Sequence, residues 1–208
     1  MSDVVIKNFT VKYPEKTIFD SFNIAFAENK ISVIMGESGV GKTTLLNAIA
    51  GLIKYDGDIE GVDGKVSYIF QKDRLIPTIS VYKNLDLVLR AVFKDKTVRK
   101  ARIEKFAKIV EIEGLLNKRC DSLSGGEAQR VAMARAFAYP SKVLLLDEPF
   151  KALDDALKSR LIAQLLTLNE IEPRTVIFVT HSKEERDLCA DDYYLFASNP
   201  VRVESSKQ

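Results

Sequence analysis

The chain has 208 residues, 46% of them apolar and 29% charged, enough to bury one substantial core and ordinary for a globular protein. A net charge of +2 lacks the basic excess of a nucleic-acid binder, so no nucleic-acid partner is expected. No run approaches the roughly 18 apolar residues needed to cross a bilayer. Cys120 and Cys189 stand in no metal-like spacing and are expected as reduced thiols.

In chain order, the first stretch, MSDVVIKNFTVKY, alternates apolar and polar residues like a strand and lacks the apolar block of a signal peptide. Ile31 to Met35 reads as a buried strand, followed by a glycine-rich loop and a helix from Lys42 to about Ala50. Val66 to Phe70 reads as the next strand. From Gln71 to Pro140 the pattern turns helical. In Val98 to Glu113, the residues Ile103, Phe106, Ala107 and Val110 fall on one face, and Gly114 is the expected stop. The basic run Lys94 to Lys108 reads as a solvated helix face, with contact to a membrane partner as the alternative. A second helix is expected from Gly125 to about Ala138, ended by Pro140. Val143 to Leu146 is fully apolar and Val176 to Thr180 is rich in β-branched residues, as in strands buried on both faces. A hairpin, Tyr193 to Ala197 and Val201 to Glu204, is expected to turn at Asn199-Pro200. The alternation predicts an α/β fold on a mainly parallel sheet, with no internal repeat. It is read as one domain over 1–208, with 1–71 and 140–208 as core and about 72–139 as an inserted helical subdomain.

Chemistry collects where strands end. Ile31–Met35 runs into Gly36, Val66–Phe70 into Gln71, Val143–Leu146 into Asp147 and Glu148, and Val176–Thr180 into His181. In open α/β sheets ligands bind beyond the carboxyl ends of strands, so parallel strands would bring these groups to one edge. Gly36-Glu37-Ser38-Gly39-Val40-Gly41-Lys42-Thr43 fits the phosphate-binding loop. Its glycines let backbone N–H groups turn toward phosphate oxygens, and the following helix adds its positive end. Lys42 can neutralise β- and γ-phosphate charge, and Thr43 can offer its hydroxyl to Mg²⁺. Asp147, delivered by a buried strand, is the expected Mg²⁺ partner, which leaves Glu148 to orient or deprotonate a water. In Leu123-Ser124-Gly125-Gly126-Glu127, Ser124 can cap a helix whose two glycines leave N–H groups exposed, a second anion site or a plain capped helix start.

LSGGE, beside GESGVGKTT and LLLDEP, resembles the signature set of ABC-type ATPases, whose motifs appear here in family order between residues 13 and 181. The resemblance implies a P-loop NTPase (RecA-like) core, a small antiparallel β subdomain and an inserted helical subdomain. It implies that Tyr13 stacks on adenine, that Gly36 to Thr44 form the Walker A loop, and that Gln71 touches Mg²⁺ and the attacking water. It further implies that Asp147 is the Walker B carboxylate, Glu148 the catalytic base and His181 the γ-phosphate switch. Ser124, Gly125 and Gly126 would complete the ATP site of the opposite subunit, and Ala152, Leu153 and Asp154 would form the D-loop.

The stretch Phe70 to Pro77 with Asn84-Leu85, and Glu148-Pro149-Phe150 before Ala-Leu-Asp, look like the importer branch, nearest to nitrate, sulfonate and taurine uptake ATPases. Lys151 departs from the small residue usual there, and the short stretch from Lys42 to Gln71 implies a reduced β subdomain. The implied protein is an ATP- and Mg²⁺-dependent ATPase that dimerises on ATP. It would be bound to integral-membrane permease subunits on the cytoplasmic face of the membrane, with a substrate-binding protein as a further partner. A soluble ABC ATPase, for example in cluster assembly, and an exporter or lipid-extraction ATPase stand as alternatives.

Overall fold

The structure, a computed structural model, describes residues 3–151, 153–198 and 200–206. Ala152 and Asn199, singled out in the D-loop and the hairpin turn, lie outside the described residues. In chain order the elements are β1 (Val4–Tyr13), β2 (Lys16–Phe26), β3 (Ile31–Gly36), α1 (Lys42–Ile49), β4 (Asp56–Glu60), β5 (Val66–Ile69), α2 (Val81–Leu89) and α3 (Lys96–Ile109). They continue as α4 (Gly125–Ala138), β6 (Val143–Asp147), α5 (Asp155–Ile171), β7 (Thr175–Val179), α6 (Lys183–Cys189), β8 (Asp192–Ala197) and β9 (Arg202–Ser206). Residue packing divides the chain into two units. One comprises 1–68, 142–148 and 173–208; the other comprises 69–141 and 149–172. The helical stretch expected over about 72–139 falls inside the second unit, which also takes in α5.

The first unit carries two sheets. The larger has the order β5-β6-β7-β3-β8-β9, and the smaller is β2-β1-β4. By register, β3 is parallel to both β7 and β8, and β6 is parallel to β7. Every residue of β6 and β7, and all of β3 but its last, is buried, which is why these segments read as continuous apolar runs rather than alternating ones. The smaller sheet is antiparallel and strongly alternating, with Val4, Ile6 and Phe9 turned inward. Its aromatics join the larger sheet's core. The Phe9 and Phe19 ring centroids are 4.9 Å apart, and Phe22 lies edge-on to Phe196 of β8 at 5.6 Å. Leu45, Leu46 and Ile49 of α1 enter the same cluster, so the helix after the glycine loop is held by its apolar face.

The second unit is helical. Ser80, Asp95, Ser124 and Asp154 cap α2, α3, α4 and α5 with side-chain oxygens, which satisfies orphan N–H groups at each helix start. Phe106 and Phe137, both fully buried, pack α3 on α4 with centroids 6.4 Å apart. Two local expectations fail here. The stop for α3 is not Gly114. Glu111 takes the left-handed position at φ 58, and the Ile112 N–H donates to the Ala107 carbonyl at 2.9 Å, closing a Schellman-type end before Gly114 is reached. The basic run is not all solvated face either. Arg99 is buried against Asp86 at 2.6 Å, and Arg102 reaches Glu172 at 2.6 Å. A hydropathy pattern gives all cations one value; only the fold decides which find carboxylates.

Candidate functional site

The loop between β3 and α1 is shaped by sterics. Gly36 has φ 147, and a Cβ there would stand 2.4 Å from the Phe196 carbonyl oxygen. Gly41 is the helix N-cap and supplies no side-chain acceptor, so the first N–H groups of α1 are left for another partner. Lys42, 5% exposed, turns its ammonium to the loop and donates to the carbonyls of Gly36 and Glu37, each at 2.8 Å. Glu37, Ser38 and Gly39 are exposed, Val40 is buried, and Thr44 is half-buried. Beside the loop is a cleft of about 450 Å³, lined by Gly36 to Val40, Lys16 and the carboxyl end of β8 from Leu195 to Ser198. Tyr13 ends β1 with half its surface exposed, across the turn from Lys16.

Parallel register brings the carboxyl ends of β3, β6 and β7 to one edge, so Gly36, Asp147, Glu148 and His181 converge as the strand ends predict. The Thr43 hydroxyl donates to Asp147 Oδ1 at 3.1 Å. Asp147 is 7% exposed, and burial pushes its carboxyl above the ordinary value. The Thr43 hydrogen bond, Lys42 and a hydrogen bond from Tyr68 oppose that rise, while the charge of Glu148 adds to it. Glu148 follows in the left-handed region at φ 46, its N–H donating to the Val179 carbonyl at 2.9 Å. Its side chain, 13% exposed, places Oε1 2.7 Å from Nε2 of His181, which is 42% exposed. The turn carrying His181 is itself fixed. The Ser182 N–H donates to the Thr180 hydroxyl at 3.0 Å, and that hydroxyl donates to the Glu185 carboxylate. One edge thus holds a phosphate-shaped loop, a lysine, a hydroxyl–carboxylate pair and a carboxylate steadied by an imidazole. These are the parts for positioning a polyphosphate and taking a proton from water.

The other residues singled out belong to the second unit. Gln71 is exposed in a bend after β5. Ser124 caps α4 in a reciprocal box: its hydroxyl accepts from the Glu127 N–H at 3.3 Å, and Glu127 Oε2 accepts from the Ser124 N–H at 2.8 Å. A Cβ at Gly125 would meet nothing within 4 Å, while one at Gly126 would stand 2.6 Å from a methyl of Leu157. The Asp154 carboxylate accepts from the Leu157 N–H at 2.9 Å and caps α5.

A family model described as ABC transporter matches residues 19–151, well over half the chain. The chain belongs to the ABC transporter family. It is 35% identical over 99% of its length to the spermidine/putrescine import ATP-binding protein PotA of Clostridioides difficile, and spans 62% of that relative. It is 36% identical over 97% of its length to the aliphatic sulfonates import ATP-binding protein SsuB of Bacillus cereus, spanning 82% of it. Among solved structures, the dimeric ATP-binding cassette MJ0796 bound to ADP and Pi matches with a TM-score of 0.85 at 29% identity, covering 98% of both chains. The fold is that of the ABC ATP-binding cassette. Among the described residues no helix is long and apolar enough to cross a membrane.

Two further residues, one in each unit, support side chains singled out above. The Tyr68 hydroxyl hydrogen-bonds Asp147 and lies 3.3 Å from the Asn47 side-chain amide of α1. Its signal was the alternation in β5, where Ser67 and Ile69 are buried and Tyr68 points the other way. Glu127 completes a capping box that Ser-x-x-Glu before a helix announces.

Proposed function

We propose that this ABC cassette binds ATP with Mg²⁺, hydrolyses it, and powers import through membrane-spanning permease subunits. The observation that carries the reading is the edge where Lys42, Thr43, Asp147, Glu148 and His181 meet the phosphate loop. The residues fit Mg²⁺. Thr43 and Asp147 oxygens stand 3.1 Å apart, and burial of the Asp147 carboxyl is the kind of penalty a divalent cation offsets. Thr43, Asp147 and, by the family resemblance, Gln71 would hold the ion. When bound it supplies positive charge to the β- and γ-phosphate oxygens.

The chain's own groups do the rest. Gly36 to Thr44 present N–H groups and the end of α1 to the phosphates, and Lys42 moves its ammonium from loop carbonyls to phosphate oxygens. Glu148 orients a water and accepts its proton, and His181 holds the Glu148 carboxylate in place. Tyr13 stacks on adenine. Ser124, Gly125, Gly126 and Asp154 serve the nucleotide of a second ATPase subunit, so ATP closes a dimer and hydrolysis opens it. A two-state change of this kind can rock attached membrane domains. The chain then works at the cytoplasmic face of the membrane, together with a substrate-binding protein. The transported substrate is set by those other chains, in line with relatives named for cargoes as different as polyamines and sulfonates.

The test is a gentle-detergent pull-down of tagged Glu148→Gln protein from its native cells. A multi-span membrane protein should copurify. Recovery of soluble proteins alone would withdraw the transport half of the reading.

A further inference from the structure

Gln71 lies in a bend that is held from two directions within the second unit. Three residues on, Arg74 occupies the left-handed region at φ 46, an unfavourable conformation for a side-chain-bearing residue. Its guanidinium lies over the Phe70 ring, 3.8 Å from the centroid, so the two residues flanking Gln71, Lys72 and Asp73 clasp the bend shut. The second hold comes from α4. Arg135, in that helix's last turn, donates from Nη2 to the Asp73 carbonyl at 2.7 Å and from Nη1 to the Arg74 carbonyl at 2.9 Å. A planar fork on two successive carbonyls fixes both peptide planes, which a lysine's single ammonium cannot do. The grip is on the backbone. The Asp73 carboxyl leaves Oδ1 buried without a hydrogen-bond partner, although Arg135 stands close enough to oppose the rise that burial imposes on it.

We infer that Arg135 is a positioning residue for ATP turnover: it locks the strained Gln71 bend to the same rigid helix whose N-cap is Ser124. About 16 Å of α-helix separates Ser124 from Arg135, so α4 carries the signature glycines at one end and the grip on the Gln71 bend at the other. Movement of the bend and movement of the signature are thereby one movement. The inference rests on the role proposed above for Gln71.

The experiment measures ATP turnover and ATP affinity for the intact protein and for Gln71→Ala, Arg135→Met, Arg135→Lys and the Gln71→Ala/Arg135→Met pair. It also times tryptic cleavage after Lys72 and Arg74 relative to cleavage in α3. Arg135→Met should lower turnover on the order of tenfold while ATP affinity stays within about twofold, as expected for a misplaced rather than a missing catalytic partner. It should cost little more in the Gln71→Ala background, and cleavage after Lys72 and Arg74 should quicken while cleavage in α3 does not. Arg135→Lys, which keeps the charge and loses the fork, should fall between, and it carries the same comparison if the methionine variant does not fold. Additive losses in the pair, or cleavage quickening equally everywhere, would overturn the clamp and leave Gln71's role intact. Normal turnover in Gln71→Ala would remove Gln71's role and the inference with it.

Discussion

Glu148 holds φ 46, a region that costs a residue with a side chain about 1 kcal/mol or more, and its N–H bond to the Val179 carbonyl keeps it there. The same backbone turn aims its carboxylate at His181 rather than along the strand. Gly36 is constrained in the opposite sense, by space rather than by aim. A Cβ there would meet main-chain oxygen, which cannot swing away, whereas a Cβ at Gly39, φ 78, would meet nothing within 4 Å. Gly36→Ala should therefore lower stability by about 2 kcal/mol or more and abolish nucleotide binding, while Gly39→Ala should cost about 1 kcal/mol. Urea unfolding of the two variants measures both. Equal losses would mean that strain in φ, and not contact with β8, sets the loop.

The elements that were legible in the sequence are those whose signal is local. β3, β6 and β7 announce themselves as apolar runs ending in polar groups, and α4 as a capped start with a proline beyond its end. What was not legible depends on distant partners. Nothing near Glu111 marks it as the turn that ends α3, and nothing in the basic run separates Arg99 from the lysines that stay solvated. Arg99 binds Asp86 of α2 and also the carbonyls of Phe93 and Lys94, each at 2.9 Å, so it fastens α2, the connection and α3 together. Burial pushes the Asp86 carboxyl up, but the hydrogen bonds from Arg99 and Arg90 outweigh it and hold the group below the usual carboxylate range. A depressed carboxylate contributes stability that is whole above its unfolded value, near pH 4, and is lost as the pH falls through the folded one. Asp86→Asn should cost about 3 kcal/mol at pH 7, because it strands Arg99. The gap between variant and parent in urea midpoint should narrow below about pH 4. A gap that stays constant on acidification would mean that the pair contributes no titrating stability.

For the chain as a whole, the strand ends that the sequence singles out do meet at one edge of the larger sheet. Asp147, Glu148 and His181 stand at or just beyond the ends of buried parallel strands, and Lys42 and Thr43 open the helix that follows the loop after β3. Gln71, Ser124 and Asp154 carry local signals too, but the geometry around them answers to helix caps and to Arg135, which no strand-end rule would find. If this edge hydrolyses ATP, Glu148 is the base. The most direct test compares ATP binding and phosphate release, with Mg²⁺ present, for the parent and Glu148→Gln. Both should bind ATP with similar affinity, the parent should release phosphate, and Glu148→Gln should release it at least about 100-fold more slowly. Phosphate release from Glu148→Gln at the parent's rate would contradict Glu148 as the base.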